Sequence, residues 1–394
     1  MPRLDNVLKA VGALALVGAI VAAAVPLLGL VSITASSGHW AITDVVLHGA
    51  MRRAVATQSL GIEPPPLSDI AMIAEGAGHF EIGCAPCHGR PGAAPPPIPE
   101  GMTPPPPYLP PRIEEWKPRE LFFIVKHGVK FTGMPAWAAQ RRDDEVWSVV
   151  AFLLALPELD PESYLQLAYG ELADSAPALT GFPGGISRDA TGAEPAAPDA
   201  GAALPAEAAV CARCHGIDGR GRGLGAFPRL AGFPGEYLHA TLESYASGIR
   251  DSGIMEPVAA SLDAESMRRV AAYYAEQPAA GAAPAEPAAP PAARREDEGP
   301  LALGRRIATE GFALRGVAPC AYCHGPDPVA RNPLFPDLAG QPQRYLARQL
   351  EQWTRGGGRG GTEYAEVMYE AARRLEPDEI DAVAQYYASL PTQP

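Results

Sequence analysis

Two cysteines three positions apart, followed directly by a histidine, occur three times in this chain: Cys84-Ala85-Pro86-Cys87-His88, Cys211-Ala212-Arg213-Cys214-His215 and Cys320-Ala321-Tyr322-Cys323-His324. A glycine follows each histidine, and all six cysteines of the protein lie in these stretches. Two thiols at this spacing form thioethers to the two vinyl groups of one porphyrin while the adjacent imidazole reaches its iron, so each stretch reads as an attachment site for c-type haem. The sequence therefore predicts three covalently bound haem c groups. Cys84, Cys87, Cys211, Cys214, Cys320 and Cys323 hold them, and His88, His215 and His324 ligate iron.

Three other chemistries use cysteine pairs. A zinc site combines two such pairs, or one pair with distant histidines, and has no need of a histidine straight after each second cysteine. Redox dithiols of the thioredoxin kind sit in a βαβ setting, and no parallel-strand pattern surrounds any copy. A disulfide within C-x-x-C closes so short a loop that it constrains little of the unfolded chain.

The elements that must position these groups fit in 394 residues, enough for two or three domains, and 44 Pro with 41 Gly favours the higher number of small ones. A formal net charge of −13, before any haem propionates, argues against nucleic acid and permits a basic docking partner. Ala10 to Ile33 is an uncharged run of 24 residues, preceded by Arg3 and Lys9 and followed by no Lys or Arg until Arg52. It is long enough to span a bilayer with the N-terminus in the cytoplasm. A cleaved signal peptide is the alternative, with a poor cleavage site after Ala35 and an overlong apolar core. Either way the cysteines are exported. Ile42 to Leu60 is moderately helical and suits a stem on the membrane surface, where His39 and His48 read as solvated residues.

From Leu67 to about Gly170 the sequence resembles a class I cytochrome c. A short helix, Asp69 to Glu81, leads into the first haem stretch. A proline-rich loop, a helix ending at Gly128, the segment Phe131-Thr132-Gly133-Met134-Pro135-Ala136-Trp137 and an amphipathic helix from Asp143 to Leu156 follow. The resemblance implies that Met134 is the second axial ligand and that Pro135 helps fix its loop. His127 and Met102 are its rivals, and the choice matters because a thioether raises the potential whereas a second imidazole lowers it.

The remaining two haem stretches belong to an internal repeat. Phe227-Pro228-Arg229-Leu230-Ala231-Gly232 matches Phe335-Pro336-Asp337-Leu338-Ala339-Gly340, Tyr237-Leu238 matches Tyr345-Leu346, and Tyr273-Tyr274 matches Tyr386-Tyr387. Each copy should be one helical domain around one haem. Met255 and Met368 hold equivalent places whose surroundings resemble the axial-Met loop of tandem dihaem cytochromes c. Met267, inside the last helix, and His239 lack counterparts in the other copy and read as packing or surface residues. One departure stands out: only Ala206 to Val210 separates Pro205 from Cys211, too short for a full N-terminal helix, whereas Leu301 to Gly311 precedes the third stretch. The second haem is then either more exposed or covered by a neighbouring domain.

These resemblances imply an all-α protein of three small cytochrome c domains behind an N-terminal transmembrane helix. The divisions are 1–36 anchor or signal, 37–66 stem, 67–170 first domain, 171–204 linker, 205–278 second domain, 279–298 linker and 299–394 third domain. Six-coordinate His/Met iron leaves no site for substrate, which suits an electron carrier rather than an enzyme. The expected protein sits in a bacterial inner membrane with its haem domains in the periplasm. It carries electrons in a respiratory chain between a quinol-oxidising complex and a terminal oxidase. A second reading is the electron-accepting subunit of a periplasmic dehydrogenase. A third, a haem enzyme such as a peroxidase, needs an open iron.

Overall fold

The hydrophobic periodicity of the chain is helical almost throughout, and a computed structural model follows it. The structure describes residues 2–30, 32–176, 204–279, 299–325, 332–355, 359–361 and 363–392. The expected linkers at 171–204 and 279–298 lie almost wholly outside them. The described residues contain helices, turns and three isolated bridges, with no strand among them.

Helix α1 (Pro2–Leu27) is exposed along its length, and Leu4–Leu27 has a mean hydropathy of 2.4. At 1.5 Å per residue these 24 residues extend about 36 Å, more than a bilayer core. The uncharged run continues to Ile33, but the helix ends at Leu27, one residue after Pro26 and just before Gly29 takes a positive φ of 68°. Helix α2 (Ala41–Gln58) is the stem. Its C-terminal half docks on the first body, with Val55 and Ser59 buried and Arg52 both paired to Glu115 at 2.8 Å and stacked over Trp116. Its N-terminal half exposes Ile42, Val45, Val46 and Leu47.

The first body is built from α3 (Ile70–Gly83), α4 (Pro118–His127), α5 (Asp143–Ala155) and α6 (Pro161–Tyr169), with a 3-10 turn at Gly170–Ser175 packed on α6. Asp69 caps α3 by accepting from the Ala71 N–H at 2.9 Å. Helices α3 and α5 cross so closely at Gly76 that a Cβ there would lie 2.0 Å from the Ser148 carbonyl oxygen. Phe80, Val146, Val150, Phe152, Leu156 and Tyr164 fill the core beside that crossing.

The other two bodies share a plan but differ at the start. The third has α11 (Pro300–Thr309), α12 (Gln343–Thr354), α13 (Ala365–Ala372) and α14 (Pro377–Ser389). Helices α11 and α14 cross at Gly304 as α3 and α5 do at Gly76: a Cβ would lie 2.0 Å from the Ala382 carbonyl oxygen. The second has α7 (Ala208–His215), α8 (Gly235–Ala246), α9 (Met255–Ala260) and α10 (Ala264–Glu276). Its first helix already contains the pentapeptide, and among the described residues of this body no helix precedes the haem stretch to cross α10. Instead α3, α6 and the Gly170–Ser175 turn lie against α7.

Candidate haem-binding sites

Each pentapeptide forms the last turns of a short helix that stops at the following glycine, whose φ is 71°, 81° or 82° at Gly89, Gly216 and Gly325. A side-chain-free residue is what that turn needs, because the backbone must leave the helix in the left-handed region. The histidines are then held in one way at all three places. His88 Nδ1 is 2.8 Å from the Pro107 carbonyl oxygen, His215 Nδ1 is 2.9 Å from that of Pro228, and His324 Nδ1 is 2.8 Å from that of Pro336. A proton on Nδ1 donated to that carbonyl leaves Nε2 unprotonated, the form in which an imidazole ligates a metal, and it also fixes the ring's orientation. Burial holds His88 and His215 below the usual imidazole pKa, in favour of this neutral form. Pro228 and Pro336 stand inside the repeated Phe-Pro stretches, but the functional atom is a main-chain oxygen, which residue types do not advertise.

The thiols are free of disulfides. Burial pushes Cys84 and Cys211 up to about 12 and Cys320 up to about 11, opposite to the direction of a redox-active or metal-binding thiolate. No cluster of three or more His, Cys, Asp or Glu side chains suited to a metal ion occurs among the described residues.

In the third body Cys320, Cys323, His324 and Met368 all line one cavity of about 390 Å³, walled by Leu346, Trp353 and other apolar side chains. That is the size and character of a pocket for an organic cofactor. In the second body Cys211, Cys214, His215 and Met255 line a smaller cavity of about 100 Å³. Met267 is instead buried in the core on α10. His239 is half-buried and lies 3.6 Å from Glu243. These residue sets fit haem c: two thiols, one oriented imidazole and a thioether lining one largely apolar cavity.

In the first body Met134 stands on a loop tied back to α4, its carbonyl accepting from the Val129 N–H at 3.2 Å and its own N–H donating to Thr132 Oγ1 at 3.1 Å. The Met102 sulfur lies beside the same loop, where a Cβ on Gly133 would come within 2.8 Å of it. The other rival, His127, is exposed at the end of α4 and stacks on Phe123, with ring centroids 4.7 Å apart. His39 and His48 are exposed, as the sequence reading has them.

The three sites are not separate. Phe233, Tyr237, Thr241, Arg250 and Tyr345 line both the second and the third cavities. Arg250, 2% exposed, donates to Tyr345 Oη at 3.0 Å and Gln349 Oε1 at 2.9 Å, and Arg359 stands beside it over the Trp353 ring. Neither guanidinium has a carboxylate partner among the described residues. Burial would raise the Tyr345 phenol, but these two cations bring it below its ordinary value. From the other side, Ile82 of α3 lines the second cavity, and a Cβ on Gly78 would sit 3.3 Å from Cys214 Sγ.

A buried ionic junction locks the bodies together. Arg348 Nη1 on α12 donates to both carboxylate oxygens of Glu75 on α3, at 2.6 and 2.8 Å, and Arg344 pairs with Asp69 at 2.6 Å. Arg142 donates to the Asp251 carbonyl oxygen at 2.9 Å and pairs with Asp144 and Glu145. Burial would raise Glu75, yet Arg348, His79 and Arg344 hold it below the usual carboxylate range. Asp144, likewise desolvated, is drawn down to about 2 by Arg142 and Arg348. His79, buried at this junction, is held below its ordinary pKa by desolvation. Arg222 closes the α7 side, donating to the Leu167 and Gln166 carbonyl oxygens at 3.0 and 2.6 Å, while Arg213 lies over the Tyr169 ring.

Comparison with known proteins finds cytochrome families in two parts of the chain. A family described as "Cytochrome C oxidase, cbb3-type, subunit III" matches residues 71–153, and one described as "Cytochrome c" matches residues 198–277. The thiosulfate dehydrogenase electron acceptor of Stutzerimonas stutzeri is 38% identical over 190 residues, 48% of this chain and 82% of that protein. The protein of the same description from Thiomonas intermedia is 36% identical over 199 residues, 50% and 87% of the two chains. Cytochrome c4 of Pseudomonas aeruginosa is 32% identical over 202 residues, 51% and 92%. Among solved structures, a thiosulfate dehydrogenase from Marichromatium purpuratum is 39% identical, with 46% of this chain and 36% of that chain covered, at a TM-score of 0.38.

Proposed function

Since this chain belongs to the c-type cytochromes, we propose that it is a membrane-anchored trihaem electron carrier. The tandem pair accepts electrons from a periplasmic dehydrogenase and the first domain hands them to a terminal oxidase. The observation that carries the reading is the common construction of the three sites. Each pentapeptide histidine is tied through Nδ1 to a proline carbonyl, and in the second and third sites it shares an apolar cavity with a methionine.

Haem c bound in these sites supplies a one-electron centre with no proton to move. Cys84 and Cys87, Cys211 and Cys214, and Cys320 and Cys323 hold it as thioethers. His88 with Met134, His215 with Met255 and His324 with Met368 would ligate its iron, and iron so held would leave no place for substrate, which favours carriage over catalysis. Apolar walls such as Leu346 and Trp353 exclude water and keep the reduced form favoured. Arg250 and Arg359, buried without carboxylate partners among the described residues, would be available to pair with the acidic edge groups of bound porphyrins.

The direction rests on likeness. The first domain matches a family of oxidase subunits, and relatives covering half the chain are named as acceptors for thiosulfate dehydrogenase. A thiosulfate-oxidising dehydrogenase is therefore the proposed donor, and α1 keeps the chain in the inner membrane with its domains at 67–170, 205–278 and 299–394 in the periplasm. The test is to purify the full chain from detergent-solubilised membranes, count haem per chain and mix it with a thiosulfate dehydrogenase and substrate. Three haems reduced only when all components are present is the expected result. Fewer haems per chain, or no reduction, removes the respective half of the reading.

A further inference from the structure

The methionine of the second site is presented differently from that of the third. Met368 lies inside α13, where its N–H already donates to the Tyr364 carbonyl oxygen at 3.2 Å. Met255 is the first residue of α9, where a backbone N–H has no partner within the helix and something outside must supply one. That partner is Ser252, whose hydroxyl oxygen accepts from the Met255 N–H at 3.0 Å and the Ile254 N–H at 3.3 Å. Ser252 is itself held from outside its own body: its hydroxyl donates to Glu145 Oε1 on α5 at 2.7 Å. The second oxygen of Glu145 accepts from the Gly253 N–H at 2.7 Å and from Trp137 Nε1 at 3.1 Å.

The fit around that turn is tight. Glu145 is 3% exposed, and a Cβ on Gly253 would meet Trp137 Nε1 at 2.2 Å, so the turn is gripped between an acid and an indole of the first body. Trp137 stands three residues after Met134 on the loop of the first site. On the far side of the cavity, Ile82 of the same body forms part of the wall.

We propose that the second haem site is composite: the first domain completes it, with Glu145 as the positioning residue that pins the Ser252–Gly253 turn presenting Met255, and Ile82 as part of its wall. The inference rests on the reading of Met255 as the sixth ligand of that site. The arrangement makes the state of the second site depend on docking of the first body.

The experiment uses the full-length, haem-loaded chain and resolves the three centres by potentiometric titration with absorption and magnetic circular dichroism. Glu145→Gln replaces one carboxylate acceptor with an NH2 group that cannot accept from Gly253 or Trp137. Ser252→Ala removes the cap, and Ser252→Thr keeps its hydroxyl. The expected result for Glu145→Gln and Ser252→Ala is a downward shift of one potential out of three, with weakening of one methionine-to-iron charge-transfer band. Ser252→Thr should stay at the wild-type values. Both disruptive variants leaving all three potentials and bands in place would overturn the proposal, and the serine pair decides it should Glu145→Gln fail to fold. Met255→Leu separates this outcome from failure of the underlying reading: retention of all three bands there overturns the ligand assignment and the inference with it. Loss of one band there, with Glu145→Gln and Ser252→Ala unchanged, overturns the inference alone.

Discussion

The second and third bodies are copies of one plan, yet they reach a closed site by different means. The third crosses α11 over α14 at Gly304 and lines its cavity largely with its own residues. The second has no described helix before its haem stretch, and residues from both neighbours, Ile82 of the first body and Tyr345 of the third, contribute to its walls. A repeat can lose an element when an adjoining body supplies the same surface, provided the junction is held firmly enough to act as one domain.

Breaking the junction is the most severe test of that difference. Arg348→Ala leaves Glu75 buried without this guanidinium partner, at an expected cost of about 3–5 kcal/mol to docking of the first body. Hydrogen exchange should then rise in α7 and around Met255 while α11 and α14 keep their protection. Equal loss in both bodies would erase the distinction. The reverse experiment is Gly304→Ala, whose Cβ strikes the Ala382 carbonyl and should destabilise the third body by about 3 kcal/mol in denaturant melts. Here the second site's spectrum should hold.

Acid should separate the bodies as well. Asp144 has its ordinary pKa of 3.8 drawn down to about 2, and Glu75 is also held low. A carboxylate with a folded-state pKa below its unfolded value stabilises fully above the unfolded value and loses that contribution as pH falls through the folded one. Docking of the first body should therefore be complete above about pH 4.5 and weaken towards pH 2, with Trp137 fluorescence reporting release ahead of the loss of α-helical signal. The smallest expected effect is also the sharpest discriminator. Arg250→Leu removes a buried cation from the wall common to the second and third cavities, so both potentials should fall together in a redox titration, whereas a residue belonging to one site would move one.

Much of this was legible in residue types. The pentapeptides declare their chemistry by local spacing, and the helices around them follow from apolar periodicity and caps such as Asp69. The brevity of the segment before Cys211 already left exposure or cover by a neighbour as the alternatives for the second haem, and in the structure α3, α6 and the Gly170–Ser175 turn lie against α7. What residue types did not reveal was which surfaces meet. Glu145 meets Ser252 across 107 residues of sequence and Arg348 meets Glu75 across 273, and charged residues on amphipathic helices read as solvated until a partner surface is placed on them. His79 was missed for the same reason. The proline carbonyls behind the three histidines are main-chain atoms, present at every position and informative only once the chain is folded.

The docked stem has a consequence for how far the protein can search. Because α2 is fastened to the first body, that body is fastened to the other two, and the Ala35 carbonyl accepts from Thr103 Oγ1 of the first body, the tether that joins α1 to the rest is short. The eight residues from Leu28 to Ala35 (35 − 28 + 1) reach about 28 Å at full stretch. For an anchored chain, the three sites then sweep one shallow shell above the bilayer as a single object. A membrane partner within that shell meets them at an effective concentration set by the tether, not by diffusion through the compartment.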